Sequence, residues 1–386
     1  MNRKGKAFCL LFSVIFIITA FSGCNLNINS DNFVFSDGKG GQKTLTPEEI
    51  MNYTPTRPDA IGKYCKSFLS GNTLYIYNAV SYAVDNGCTE INIPEKYGYE
   101  DPAEYVKAIT FYSCDSPFLE HNYTENGTFR LTESTVIGST SYGFTLPRNS
   151  EEFSKEKQQA YEKAKEIVSN MPAQYVTDSQ KMKYLYSYVA QNIRYATMVD
   201  YYNYSTVPIY DALVTDSHET ICDGFADTLM MLFNIAGIQC FAVEGLNSKN
   251  TGHVAICAKL DGGYYYFDPT NDSNVCSSGF KPGFYYAISD KDLLSYFKEE
   301  PEFSDLLPVC PQSRISNLAE VIAFSDDDNA VNNAKSILQR DGAVNVYFDE
   351  TASDSDKENF GRKLATAIGE GIVNTKANGI VGYSKQ

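Results

Sequence analysis

The 386-residue sequence has no tryptophan, three histidines and no cysteine pair in CxxC spacing. So little histidine restricts imidazole chemistry to His121, His218 or His253. The ten cysteines are irregularly spaced, which argues against a dense disulfide framework. A zinc site built from Cys222, Cys240, His253 and Cys257 would need ligand pairs a few residues apart, whereas the chain-order gaps are 18, 13 and 4, so no metal is expected. Positive charge is short as well. Thirty-two Lys and Arg against 48 Asp and Glu leave a formal net charge of −16 with no basic cluster, a surface that repels nucleic acid and anionic lipid heads. No glycine-rich phosphate loop follows the strands expected near the C-terminus, and no cofactor is implied.

Apolar residues make up 43% of the chain, enough for sizeable cores in two or three domains. Residues 1–23 combine a basic start (Arg3, Lys4, Lys6), an apolar run from Ala7 to Phe21 and small residues before Cys24. This is the pattern of a secretory signal peptide, and the run is too short to span a membrane. Small residues directly before a cysteine resemble the lipobox of bacterial lipoproteins, which implies lipid attachment at Cys24 and a location on the extracellular face of a bacterial membrane. Phe21 stands where a lipobox usually has leucine. Removing residues 1–23 takes away three positive charges and leaves −19.

Residues 24–45, rich in Asn, Ser, Gly and Asp, read as a flexible tether. Thr46-Pro47-Glu48-Glu49 reads as a helix start. An α+β accessory region is expected over 46–150, with helices around 58–86 and 102–112, a strand at 89–94 and a β stretch from 118 to 146. Helices follow over 151–171, with Pro172 as its stop, and from the capping box at Thr177-Gln180. The stretch 197–217 reads as a long loop. These helices begin a core domain placed at 151–290. From 291 to 386 strands at 320–324, 343–348 and 379–383 alternate with helices at 329–340 and 354–369, a small α/β module.

The stretch HETICDGFADTLMMLFNIAG (218–237) puts Cys222 in the first turn of a helix whose Phe225, Leu229, Leu232, Phe233 and Ala236 form an apolar stripe ended by Gly237. Free N–H groups and the positive helix end favour a thiolate there, and Gly224 would let the backbone approach a substrate. Asp223 and Asp227 read as surface carboxylates on that helix, and Asp272 as turn chemistry. A thiolate needs a base and a group to orient it. His253 opens the strand-like HVAICAKL, followed by Asp261-Gly262 and then YYYFD ending at Asp268. With Asp261-Gly262 as a two-residue hairpin loop, Leu260 pairs with Gly263, and His253 and Asp268 fall on one face. His218, four residues before Cys222, is the competing base.

The segments 181–195, 210–245 and 252–272, in this order and spacing, resemble the transglutaminase-like superfamily of papain-like thiol enzymes. The resemblance implies an α+β fold whose core packs a cysteine-bearing helix on an antiparallel sheet bearing histidine and aspartate. It implies Cys222 as nucleophile, His253 as general acid/base and Asp268 as the residue orienting the imidazole, acting on a peptide or protein substrate. Hydrolysis is favoured over transfer to an amine. Some relatives donate to the oxyanion from tryptophan, which this chain lacks. The Cys222 N–H and the Tyr210 hydroxyl are the candidates here, with a tyrosine packed beneath its loop as the other reading of Tyr210. The alternative function is a surface lipoprotein that binds wall polymer or protein through the same fold without catalysis.

Overall fold

The computed structural model describes residues 31–98, 102–119, 130–136, 139–145, 151–196, 208–299, 306–314, 318–324, 328–349, 351–369 and 371–385. The expected signal peptide, Cys24 and His121 lie outside them, as does 197–207 of the expected long loop.

The chain enters through β1 (Phe33–Ser36) and β2 (Gln42–Leu45), an antiparallel pair within a five-stranded sheet. The tether expected over 24–45 is thereby corrected for its second half. Phe33 and Phe35 alternate into the core, and the Asp37 carboxylate accepts the N–H groups of Lys39 and Gly41 at 2.8 and 2.9 Å to close the turn. Two buried phenylalanines, each stabilising by roughly 1.5–3 kcal/mol, outweigh a polar average composition. Thr46 then caps α1 (Pro47–Met51) in a capping box with Glu49. The helix expected over 58–86 is shorter, α2 (Gly71–Asn86), ended by Gly87 at φ +67°. β3 (Glu90–Asn92), α3 (Pro102–Asp115), β4 (Arg130–Val136) and β5 (Ser139–Thr145) complete the region, in the sheet order β2-β1-β3-β5-β4.

Next come α4 (Glu151–Ser169) and α5 (Asp178–Asn192), the latter capped by Thr177 with Gln180 as expected. The segment after α5 carries β6 (Arg194–Tyr195), α6 (Pro208–Leu213) and β7 (Glu219–Thr220), and leads into α7 (Cys222–Ile235). A four-stranded antiparallel sheet follows from β8 (Cys240–Asn247), β9 (Gly252–Leu260), β10 (Gly263–Phe267) and β11 (Phe297–Glu299), in the order β10-β9-β8-β11. Between β10 and β11 lie α8 (Pro269–Ser277) and α9 (Asp290–Leu293).

This sheet is covered on both faces. Val254, Ile256 and Ala258 of β9 join the core made with α4, α5 and α7, while Ala255 and Cys257 join the core made with α2 and α3. The alternation follows from successive strand side chains pointing to opposite faces. Every residue of α7 from Cys222 to Phe233 is buried, so the single stripe read from the sequence is widened to the whole circumference by α4, α5, α6 and the sheet.

The C-terminal module consists of β12 (Val321–Ala323), α10 (Asp328–Asp341), β13 (Ala343–Phe348), α11 (Asp354–Ile368), β14 (Ile372–Ala377) and β15 (Ile380–Lys385). Its sheet order is β12-β13-β15-β14, parallel only between β12 and β13. The boundary read at 290 is corrected: Leu293, Phe297 and Cys310 pack in the core shared with α2 and α3, and β11 pairs with β8. The module's own core begins at Val321. It is fastened to the loop before residue 285 by Asn345, whose amide donates to the Pro282 carbonyl at 2.9 Å, and by Asn378, which donates to the Phe284 carbonyl at 2.7 Å.

Candidate active site

Two short parallel strands set the entry to the cysteine helix. Arg194 pairs with Glu219 and Tyr195 with Thr220, and the Thr220 hydroxyl donates to the Pro208 carbonyl at 3.1 Å, tying β7 to the start of α6. His218, the competing base, sits at φ +49° with Nδ1 3.0 Å from the Ala212 carbonyl oxygen, so its ring is held against α6. Cys222 is the first residue of α7, behind the extended Ile221. Gly224 serves packing rather than substrate approach. A Cβ there would collide with the Thr220 side chain and the Pro208 carbonyl. The helix tip can press against β7 and α6 only because that side chain is missing.

The hairpin forms in the expected register, Leu260 opposite Gly263 through Ile256 opposite Phe267, around Asp261 and Gly262 at φ +49° and +87°. The ladder stops there, because Pro269 starts a helix and Asp268 becomes its N-cap. The Asp268 carboxylate accepts from the Asn271 N–H at 3.1 Å through Oδ1, and Oδ2 lies 2.7 Å from Nε2 of His253 and 2.9 Å from Nδ2 of Asn271. Its own N–H donates to the Tyr285 carbonyl at 3.0 Å. Such a grip leaves the carboxylate little freedom, and it assigns Nε2 as the protonated nitrogen of His253, with Nδ1 as the basic one.

Cys222 meets the same strand. Its sulfur lies 3.9 Å from the carbonyl oxygen of Gly252, the residue before His253, and 3.6 Å from Oδ1 of Asp223. The thiol therefore bonds to these two groups rather than to the imidazole. Catalytic hydrogen bonds are often loose before substrate binds. Cys222 is 6% exposed, His253 7% and Asp268 0%.

Electrostatics correct the expectation of a ready thiolate. Burial pushes the Cys222 thiol well above its ordinary value, and the adjacent Asp223 carboxylate adds to the rise. Asp223 and Asp227 are not surface groups: they are 2% and 1% exposed. For His253, burial pulls the value down, but the Asp268 carboxylate and then Asp223 more than offset it, so the value lies above the ordinary imidazole one. At the sulfur the positive helix end opposes burial and the Asp223 charge and is outweighed by them, since its effect is on the order of 0.3–1 kcal/mol.

Residues 152–269 match the model of the transglutaminase-like superfamily, a span that contains Cys222, His253 and Asp268. This part of the chain is a transglutaminase-like domain. At the level of the family such domains are typically cysteine enzymes. Among solved structures, a TGase is similar at 20% identity with a TM-score of 0.24, covering 37% of this chain and 44% of its own. A candidate cysteine protease from Cytophaga hutchinsonii is similar at 11% identity with a TM-score of 0.23, covering 37% of this chain and 62% of its own. No curated protein matches the chain.

Three groups of the transglutaminase-like domain and its continuation escaped the sequence reading. Asp272 is no turn residue: fully buried, it accepts the N–H groups of Gly283, Phe284 and Tyr285 at 2.8, 3.1 and 3.2 Å, and the Tyr186 hydroxyl at 2.5 Å. The same hydroxyl lies 3.1 Å from the Asp268 carbonyl oxygen, so Asp272 fixes the loop and the helix that hold Asp268. Burial raises Asp272 to about 6 against these bonds. The Tyr296 hydroxyl is buried beside Asp268, and the Phe297 ring stands edge-on to the His253 ring at 6.0 Å between centroids. Gly245, opposite His253 across the ladder, leaves the space Phe297 fills, which a Cβ would enter. Tyr210 lies on α6, partly buried against the helical core, and its hydroxyl bonds none of Cys222, His253 and Asp268. Among the described residues no three His, Cys, Asp or Glu side chains gather as a metal site.

Proposed function

We propose that this chain is a thiol enzyme that cleaves peptide or carboxamide bonds, with Cys222 as nucleophile, His253 as general acid/base and Asp268 holding the imidazole. The observation that supports it most is the 2.7 Å contact between Nε2 of His253 and Asp268, at the mouth of the strand whose preceding carbonyl touches the Cys222 sulfur. Substrate entry displaces the Asp223 contact, and Nδ1 of His253 takes the thiol proton. The sulfur attacks the carbonyl carbon, and the Cys222 backbone N–H, unclaimed at a helix start, donates to the oxyanion. Collapse breaks the C–N bond while His253 returns its proton to the departing amine. Water, deprotonated by His253, then cleaves the thioester and restores the thiol.

Hydrolysis is the favoured outcome and amine transfer the lesser one. Incubating the purified chain with a peptide library, with and without a primary amine, separates them: shortened or deamidated peptides are expected, and incorporated amine would make the chain a transferase. Turnover that survives Cys222→Ala or His253→Ala would overturn the triad.

The proposal extends to location. Residues 1–24 support an extracellular, membrane-held protein with a lipid on Cys24, and labelling with an alkynyl fatty acid should be lost in Cys24→Ala. A second reading, a surface protein that binds polymer or protein without catalysis, is favoured by one observation: the Cys222 thiol is neutralised by burial and by Asp223. Under that reading no library peptide is turned over.

A further inference from the structure

The C-terminal module grips the loop that holds Asp268. Asn345 is the one amide in β13 and is 1% exposed. Val344, Val346 and Phe348 point into the module's own core, so Asn345 faces the other way by the alternation of strand side chains. On that side its amide donates to the Pro282 carbonyl at 2.9 Å. Gly382, paired with Asn345 on β15, has no side chain, and a Cβ there would collide with the Phe284 ring. In the turn that joins β14 to β15, Asn378 at φ +48° donates to the Phe284 carbonyl at 2.7 Å.

The same stretch is held from its other side by the elements that carry the candidate triad. Asp272 takes the N–H groups of Gly283, Phe284 and Tyr285, and the Tyr285 carbonyl accepts the Asp268 N–H at 3.0 Å. The carbonyls of Pro282 and Phe284 thus go to the module, and the intervening N–H groups and the next carbonyl go to α8 and its cap. We propose that Asn345 and Asn378 are positioning residues of the active site, through which the C-terminal module braces the Asp268 carboxylate against the His253 imidazole. This role rests on the triad reading above, in which Asp268 orients the ring.

The need for a brace is physical. Residues 279–287 carry neither helix nor strand, so no regular ladder fixes Tyr285. Irregular backbone is the mobile part of most folds, and side-chain amides that take its carbonyls stand in for the missing ladder. A catalytic group must be held within about 0.5 Å of its productive place, and a 1 Å misplacement costs on the order of 10²-fold in rate. Lys281 adds ion pairs to Glu320 and Asp341, but these are partly exposed and contribute little beside the buried amide. A module that only covered the loop would need apolar contact alone. Two amides aimed at carbonyls two residues apart set a position.

The experiment compares three variants of the full chain: Asn345→Ala, Asn378→Gly and, as control, Ile337→Val, whose side chain lies in the module's own core. Asn378→Gly removes the amide and keeps a residue at ease at φ +48°. Peptide turnover, an NMR titration of His253 and the melting temperature are measured on each. Both asparagine variants should lower kcat by about tenfold with KM little changed. They should also move the His253 titration downward, because a loosened Asp268 raises it less. Ile337→Val should lower the melting temperature alone. Bonds that serve only stability would leave kcat and the titration where they were, and that result would overturn the proposal, as would an equal shift of the titration in Ile337→Val. Should Asn345→Ala fail to fold, Asn378→Gly decides. An unmodified chain without turnover would refute the enzyme reading alone, and the His253 titration would still decide the brace.

Discussion

Nε2 of His253 and Oδ2 of Asp268 stand 2.7 Å apart, one at the start of an inner strand and the other at the cap of the helix that ends the neighbouring strand. Removing the carboxylate should act on the ring in two ways. Asp268→Ala should lower turnover by about 10²–10⁴-fold, because the tautomer and orientation are lost. It should also move the His253 titration downward, since burial then pulls on the imidazole with only Asp223 opposing it. An NMR titration of His253 that does not move in the variant would refute the coupling.

The raised His253 value carries a stability signature. A folded value above the unfolded 6.5 means the native state holds the proton more tightly, so the contribution is fully present below about pH 6.5 and is lost as pH rises through the folded value. The stability deficit of His253→Gln, measured by urea unfolding, should therefore shrink on going from acidic to alkaline buffer. A deficit that grows with pH would contradict the assignment.

Asp223 is expected to restrain the Cys222 thiol. Asp223→Asn removes a charge and a hydrogen bond that both hold the thiol protonated, so Cys222 should alkylate faster with iodoacetamide at neutral pH, about tenfold for each unit its value falls. Labelling kinetics with peptide-level readout measure this directly. An unchanged rate would show that burial alone sets the thiol.

Asp272→Asn replaces an acceptor of four hydrogen bonds by a group that can accept on one side only, leaving donors facing donors in a dry site. A loss on the order of 2–4 kcal/mol is expected by chemical denaturation at neutral pH. Because burial raises this acid from 3.8 to about 6, the native wild type binds the extra proton between those values, and its stability falls as pH rises through the window. The variant's deficit should thus be larger near pH 4 than at pH 7, by about 3 kcal/mol from the two-unit shift. A deficit independent of pH would overturn the buried-acid assignment.

Gly224→Ala should cost about 1–3 kcal/mol through the collision with Thr220 and the Pro208 carbonyl. Relief by a second substitution, Thr220→Ala, is expected in part, since the backbone carbonyl remains. A neutral Gly224→Ala in thermal unfolding would remove glycine's packing role.

What could be read from the chain beforehand divides along the range of the forces involved. The Asp261-Gly262 turn fixes the hairpin register within eight residues, and that local geometry already places His253 and Asp268 on one face. Thr46 and Thr177 announce their helices by side chains three residues away. By contrast, Asp223, Asp227 and Asp272 resemble surface or turn acids because their burial is imposed by elements remote in sequence. Tyr296 and Phe297 reach Asp268 and His253 from almost thirty residues and more beyond them, with no local pattern to mark them. The boundary at 290 failed for the same reason, since a three-residue strand gives too little periodicity to be seen before it pairs with β8. Phe33 and Phe35 were hidden by the polar residues around them.

The strand bearing His253 is internal, laddered to β8 on one side and β10 on the other. Displacing it would break two rows of backbone bonds at once, so the imidazole is the anvil of the site. On the proposed function, adjustments that admit or expel a peptide would then come from the opposing side, where two-residue strands and a helix of a turn and a half lead to Cys222. Variants that speed or slow turnover without touching the chemistry should accordingly map to the approach to Cys222 and spare the hairpin.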